Sequence, residues 1–118
     1  MPAADSPAII PSATLLAAYA SGLFPMADAR DDPEVYWVEP TERAIIPLDG
    51  FHCSRSLAKA LNRGEFSFTV DQDFAGVMRQ CAAPAPGRED TWINATIEAS
   101  YAALHAIGHA HSVECWCD

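Results

Sequence analysis

The chain has 118 residues, of which 50% are apolar, and a formal net charge of −9 from 16 acidic and 7 basic residues. This length suffices for one small domain or for parts of two domains, and the apolar content is too high for intrinsic disorder. No apolar run reaches the ~20 residues that cross a bilayer, and the N-terminus lacks the basic and apolar regions of a signal peptide. We therefore expect a cytoplasmic protein without a membrane partner. The acidic average argues against nucleic-acid binding unless basic residues cluster locally.

The first third of the chain predicts a leader, a helix and two strands. Residues 1–11 contain three prolines and predict a loose leader. Ser12 is placed to cap a first helix, and Gly22 is placed to end it in a left-handed turn. Two short strands are expected next, at 34–38 and 43–48.

The middle of the chain predicts a second helix with a cationic face. Ser54 is placed to cap this helix and Gly64 to end it. Arg55, Lys59 and Arg63 recur at i, i+4 and i+8, so that they form one stripe along the helix. Three of the seven basic residues thus fall within nine positions. Considered alone, such a stripe is usually a solvated helix face.

The second half of the chain predicts alternating strands and helices, which gives an α+β fold. The expected elements are a strand at 66–70, a helix from Asp71 or Asp73 to Cys81, a helix at 94–107 and a strand at 109–117. Asn94 is placed to cap the last helix and Gly108 to end it. The apolar face of this helix comprises Ile97, Tyr101, Leu104 and Ile107. The final strand reaches Asp118 without a turn or a partner strand, so we expect an interrupted chain.

Five segments of the sequence carry a resemblance to a known family. They are, in order, G-L-F-P-M (22–26), W-V-E-P-T-E-R-A-I-I-P-L (37–48), H-C-S-R-S-L (52–57), T-W-I-N (91–94) and L-H-A-I-G-H-A-H-S-V-E-C-W (104–116). In this joint order the chain resembles the front half of leucyl/phenylalanyl-tRNA–protein transferases. The resemblance runs from about Ser12 to Trp116, which is nearly the whole chain.

The resemblance implies an aminoacyltransferase that acts on two macromolecular substrates. Members move leucine, phenylalanine or sometimes methionine from charged tRNA to proteins with an N-terminal Arg or Lys, which marks those proteins for N-end rule degradation. An aminoacyl ester is already activated, so neither a cofactor nor a metal is required. By resemblance, 1–64 is a small N-terminal domain with the basic helix, and 65–118 opens a GNAT-like acyltransferase domain. The catalytic residues and the acceptor pocket are expected beyond residue 118, so this fragment alone should be nearly inactive.

The resemblance also suggests which residues bind tRNA. Arg55, Lys59 and Arg63 match the basic helix of the family and are expected to contact backbone phosphates. Trp92 matches a tryptophan that stacks on the terminal adenosine, and most tryptophans otherwise serve the core. Met26 stands where some members carry a second tryptophan, and its polarizable sulfur can still lie against a base.

A zinc site and two other functions are the alternatives to this interpretation. The candidate metal ligands are His105, His109, His111, Cys115 and Cys117. On a strand, residues 109 to 117 span ~26 Å at ~3.3 Å per residue, so they cannot converge on one tetrahedral ion, and we expect no metal. The alternatives to a transferase are a non-catalytic tRNA-binding fragment and a small protein-interaction domain that recruits a partner strand.

Overall fold

The computed structural model describes residues 7–117 and confirms the predicted α+β class, whereas most of the predicted leader lies outside the described residues. In chain order the elements are α1 Ser12–Ala20, β1 Phe24–Met26, β2 Tyr36–Val38, α2 Arg55–Asn62, β3 Phe66–Val70, α3 Phe74–Ala82, α4 Ala95–Ala106 and β4 Val113–Cys117. Within the described range the strands form two separate antiparallel pairs, β1 with β2 and β3 with β4. None of the helices found there has the length and apolarity that a bilayer crossing requires.

The core lies around α4, which packs against α1 and α3. Ile97 and Leu104 of α4 are 0% and 3% exposed, as the apolar face predicted. The cluster around Ile97 also contains Ala27, Ala82 and Ile93, with Val35, Met78 and Tyr101 packed against it. The prediction that Ile107 belongs to this packed face is wrong, because α4 ends one residue earlier and leaves the Ile107 side chain exposed. The core therefore joins the end of β1 to α3 and α4.

Three of the predicted helix caps are confirmed by side-chain hydrogen bonds. Ser54 accepts from the backbone N–H of Leu57 at 3.2 Å, and Asp73 is the residue that caps α3. Asn94 accepts from the N–H of Ile97 at 2.9 Å. Each bond satisfies one of the donors that a helix start leaves without an intrahelical partner.

The start of α1 differs from the prediction by one residue. Ser12 is the first residue of the helix rather than its cap, and Pro11 holds the cap position without a side-chain bond. The carbonyl of Pro11 accepts from the N–H of Leu15 at 3.1 Å, so the helix begins before the serine hydroxyl can cap it. The predicted helix stops at Gly22, Gly64 and Gly108 are confirmed, with φ of 82°, 67° and 85°.

The first pair of strands contains β1, which the sequence did not predict as a strand. β2 confirms the strand expected at 34–38, but it pairs with β1, in the register Phe24↔Val38 to Met26↔Tyr36. The strand predicted at 43–48 is wrong, because that segment has no strand partner among residues 7–117. Pro47 lacks an N–H for a ladder bond, and Leu48 is fully exposed.

The last strand begins at Val113 rather than at 109, and it is not unpaired. β4 pairs with β3 over five residues, from Phe66↔Cys117 to Val70↔Val113, which overturns the expectation of a strand without a partner. Side chains that face each other across an antiparallel pair lie on the same side of the sheet. One face of this pair is apolar and exposed, and its members are Phe66, Phe68, Val70, Val113, Cys115 and Cys117.

Candidate nucleic-acid interface

The structure brings Met26 and Trp92 together, although 65 residues separate them in the sequence. Both line one cleft of about 340 Å³, which lies between the end of β1, the end of α3 and the segment that precedes α4. Tyr36 and Arg88 also line this cleft. A cavity of this size falls within the usual range of small-ligand sites, ~300–1,000 Å³.

Trp92 is exposed in a motif whose following residues are buried. In T-W-I-N, Ile93 is 3% exposed and Asn94 is 1% exposed, whereas Trp92 is 42% exposed. The carbonyl of Trp92 accepts from the N–H of Ala27 at 3.0 Å, which ties its backbone to the residue after β1. The hydroxyl of Thr91 accepts from the N–H of Ile93 at 3.1 Å. The peptide is therefore fixed from several sides, while the indole remains available to a ligand.

The loop after β1 is tied to the same segment by Arg30. Its guanidinium donates to the carbonyl of Ile93 at 3.1 Å and pairs with Glu98 at 2.8 Å. Its backbone N–H donates to the Asp90 carboxylate at 3.0 Å. The bonds from the N–H groups of Arg30 and Thr91 hold the pKa of Asp90 below its usual range. Asp90 therefore stays ionised beside the cleft and orders its rim.

Tyr36 supplies a second aromatic side chain in the cleft. It pairs directly with Met26 across β1 and β2, so the two side chains lie on the same face of the ribbon. A hydrogen bond to the Asp28 carboxylate raises the pKa of Tyr36, so the phenol remains protonated at neutral pH. Tyr36 is 43% exposed and thus accessible.

The sequence did not single out Tyr36 or Arg88 as site residues. Neither residue stands at a regular spacing from Met26 or Trp92, and no local motif contains the pairing of β1 with β2. Once that pairing is known, an aromatic residue directly opposite Met26 is the signal that identifies Tyr36.

The three cationic residues lie apart from the cleft, on α2 and its C-cap. Arg55, Lys59 and Arg63 are all exposed, and within residues 7–117 none of them forms an ion pair with a carboxylate. The Nε of Arg63 donates to the carbonyl of Lys59 at 3.4 Å, which extends the stripe past the end of the helix. Leu57 and Leu61, on the predicted apolar side, are 41% and 45% exposed, so α2 is only partly packed.

Two histidines near β4, His105 and His111, make contacts within the local structure. His111 Nδ1 lies 2.7 Å from a carboxylate oxygen of Asp71, whose other oxygen accepts from the N–H of Ser112 at 2.9 Å. These contacts lower the pKa of Asp71 and raise the pKa of His111. His105 Nδ1 lies 2.7 Å from the carbonyl of Ala110, and its ring stacks on Phe74 at 4.2 Å.

Glu114 is a buried carboxylate that holds the ends of β3 and β4 together. It accepts from the hydroxyls of Ser112 and Thr69 and from the N–H of Gln72, and the hydroxyl bonds are the main cause of its lowered pKa. The indole N–H of Trp116 donates to the Thr69 hydroxyl at 2.8 Å. The H-S-V-E-C-W segment thus joins two strands. Among residues 7–117, no three His, Cys, Asp or Glu side chains are grouped as metal ligands.

Two family models match the chain, and together they cover most of it. The model described as leucyl/phenylalanyl-tRNA protein transferase matches residues 45–118, and the model of the N-terminal domain of the same enzymes matches residues 10–41. The chain belongs to the leucyl/phenylalanyl-tRNA protein transferase family. The resemblance stated from the sequence is therefore confirmed.

Curated relatives support the same assignment. The chain is 60% identical over 110 residues to the leucyl/phenylalanyl-tRNA–protein transferase of Novosphingobium aromaticivorans, a match that covers 93% of the chain and 42% of the relative. It is 57% identical to the enzymes of Rhodospirillum rubrum and Cereibacter sphaeroides, with 86% and 92% of the chain and 48% of each relative covered. The chain thus spans less than half the length of these relatives.

Proposed function

We propose that this chain holds the 3′ end of aminoacyl-tRNA in a transferase that moves leucine, phenylalanine or methionine to proteins with an N-terminal Arg or Lys. The product enters N-end rule degradation, and the reaction takes place in the cytoplasm, where charged tRNA is made. Family membership supports the reaction class. The proposed domains are 1–64, with the basic helix, and 65–118, which opens a GNAT-like domain.

The observation that carries this proposal is the cleft that contains both Met26 and Trp92. An exposed indole on a fixed backbone is a suitable platform for an unpaired base, and such stacking contributes ~1–3 kcal/mol per base. Met26 offers a polarizable sulfur and Tyr36 a second ring on the same side of the ribbon. The cleft therefore suits the terminal adenosine of tRNA, which is single-stranded in every tRNA.

The cationic stripe on α2 suits a different part of the same ligand. Arg55, Lys59 and Arg63 are exposed and unpaired by carboxylates within the described range, so their charges are available to backbone phosphates. Phosphate contacts of this kind supply affinity and are weakened by salt, but they do not read sequence. We assign these three residues to the tRNA body rather than to its 3′ end.

The proposed reaction needs no ATP or metal to activate the aminoacyl group. As the acceptor amine forms the amide bond, the ester C–O bond breaks and the amine proton passes to the ribose oxygen that leaves. The aminoacyl ester is already activated, so the enzyme must bring the acceptor amine to the ester carbonyl and stabilise the charge that develops there. A terminal adenosine bound at Trp92 fixes the position of the ester that it carries. We place the residues that stabilise the attacked carbonyl outside these 118 residues.

A comparison of two tRNAs tests the proposal. The 118-residue chain should bind Leu-tRNA more tightly than the same tRNA without its terminal adenosine. Trp92→Ala should remove this difference and weaken binding of Leu-tRNA by about 5- to 150-fold, which corresponds to the stacking of one base. Trp37→Ala is the matched control, because Trp37 is 41% exposed and lies outside the cleft lining. Equal affinity for the two tRNAs would refute the proposed site.

A further inference from the structure

A second cavity lies beside the cleft that contains Trp92. It is a groove of about 600 Å³ between α3 and β4, and Val77, Arg79 and Trp116 line it. Cys81 and Arg88 line both the groove and the cleft, so the two cavities meet at these residues. A ligand longer than one nucleoside can therefore pass from the cleft into the groove beside Arg88.

Arg88 is held at this junction by its backbone. Its N–H donates to the carbonyl of Ala85 at 2.8 Å and its carbonyl accepts from the N–H of Ala85 at 2.9 Å, which closes a tight turn. Gly87 lies in this turn with φ of 78°, a left-handed conformation that favours glycine. The position of the Arg88 backbone therefore does not depend on a ligand.

The guanidinium of Arg88 retains most of its hydrogen-bonding capacity. It donates from Nη1 to the carbonyl of Cys81 at 3.3 Å, near the end of α3. A guanidinium has five N–H donors, and in the described part of the chain no carboxylate forms an ion pair with this one. Among the described residues that line the cleft, Arg88 is the one with a positive charge, whereas Asp28 and Asp90 are negative. A phosphate in the cleft is therefore attracted to Arg88 and repelled by Asp28 and Asp90.

We propose that Arg88 binds the phosphate that links the last two nucleotides of the tRNA acceptor end and directs the strand from the cleft into the groove. This inference rests on the proposed function, because it takes the base on Trp92 to be the terminal adenosine. The planar donors of arginine suit phosphate oxygens, which are bound through charge-assisted hydrogen bonds. Arg88 is then a binding residue that distinguishes a nucleotide strand from a free nucleoside.

The test compares two small ligands on the 118-residue chain by NMR titration. Adenosine has the base and ribose, whereas cytidylyl-(3′→5′)-adenosine adds one phosphate and one cytidine. We expect the dinucleotide to bind about tenfold more tightly at low salt, as for one hydrogen-bonded contact to a charged group. The logarithm of the dinucleotide's dissociation constant should rise with the logarithm of the salt concentration at a slope of about 0.7. The dissociation constant of adenosine should barely change.

Variants then separate phosphate binding from a purely structural role of Arg88. Arg88→Gln keeps a donor for the Cys81 carbonyl but removes the charge, so it should abolish the preference for the dinucleotide and leave adenosine binding unchanged. Arg88→Lys should keep the salt dependence. Arg43→Gln is the matched control, because Arg43 is exposed and lines neither the cleft nor the groove, and it should retain the preference.

Each outcome decides between the inference and the function on which it rests. Equal and salt-independent binding of both ligands to the native chain overturns the assignment of Arg88, even if no variant folds. A preference that persists in Arg88→Gln overturns it as well. If Trp92→Ala weakens adenosine binding in either case, the proposed function stands without this inference. If neither ligand binds the native chain, both are wrong.

Discussion

Asn94 provides a quantitative test, because one buried side chain joins the core helix to the loop beside the cleft. Its Oδ1 accepts from the N–H of Ile97 at 2.9 Å, and its Nδ2 donates to the carbonyl of Asp32 at 2.9 Å. Replacing an N-cap by alanine costs about 1 kcal/mol. The second bond contributes about 1–1.5 kcal/mol, and its loss leaves a carbonyl without a partner. We expect Asn94→Ala to lower the free energy of unfolding by about 2–3 kcal/mol.

Urea unfolding followed by circular dichroism measures this loss. With a slope of about 1–3 kcal/mol per molar urea, the midpoint should fall by roughly 1–2 M. Asn94→Ser keeps a cap acceptor but is too short to donate to the Asp32 carbonyl, so about 1 kcal/mol of the loss should remain. Asn62→Ala, at the exposed last residue of α2, is the matched control. A change below 0.5 kcal/mol for Asn94→Ala, or equal losses in the alanine and serine variants, would refute the reasoning.

Two further predictions concern the basic helix and the strand junction. Arg55→Glu should weaken binding of all tRNAs and reduce the slope of log affinity against log salt concentration by about one unit, as measured by filter binding. Unchanged affinity would show that the stripe does not contact tRNA. The pKa of Asp71 is lowered from 3.8, so its contribution to stability is present above that pH and is lost as acid protonates Asp71 below it. The pKa of His111 is raised from 6.5, so its contribution is present below that pH and is lost as base deprotonates His111 above it. His111→Ala should therefore lower Tm most between about pH 4 and 6.5, and a pH-independent decrease would contradict this.

The local signals of the sequence predicted most of the helices. A capping side chain acts on a backbone N–H three residues later, so Ser54 and Asn94 can be recognised without knowledge of the fold. A glycine in the left-handed conformation acts over a similarly short range, which is why Gly64 and Gly108 mark helix ends correctly. The formation of these caps and glycine turns depends on neighbouring residues in the chain rather than on distant contacts.

Strand pairing could not be predicted in the same way, because it depends on a remote partner. The segment 43–48 has the composition of a strand but finds no partner in the part of the chain that the structure describes. β1 has Pro25 at its centre, a residue that argues against a strand, and it forms because β2 returns beside it. The same non-local pairing places Tyr36 in the cleft, so the sequence predicted Trp92 and Met26 as candidates but not the aromatic side chain that lines the cleft with them.

The acidic net charge limits the places where tRNA can approach the protein in the proposed function. With a net charge of −9, most of the surface repels phosphates, and the unpaired positive charges on α2 and at Arg88 are where a polyanion can approach. In the proposed function, α2 and the cleft act differently: α2 contributes affinity that salt weakens, whereas Trp92 recognises the end of the strand through stacking that salt affects little. Raising the salt concentration should therefore lower affinity for every tRNA, while the discrimination between intact and shortened 3′ ends persists.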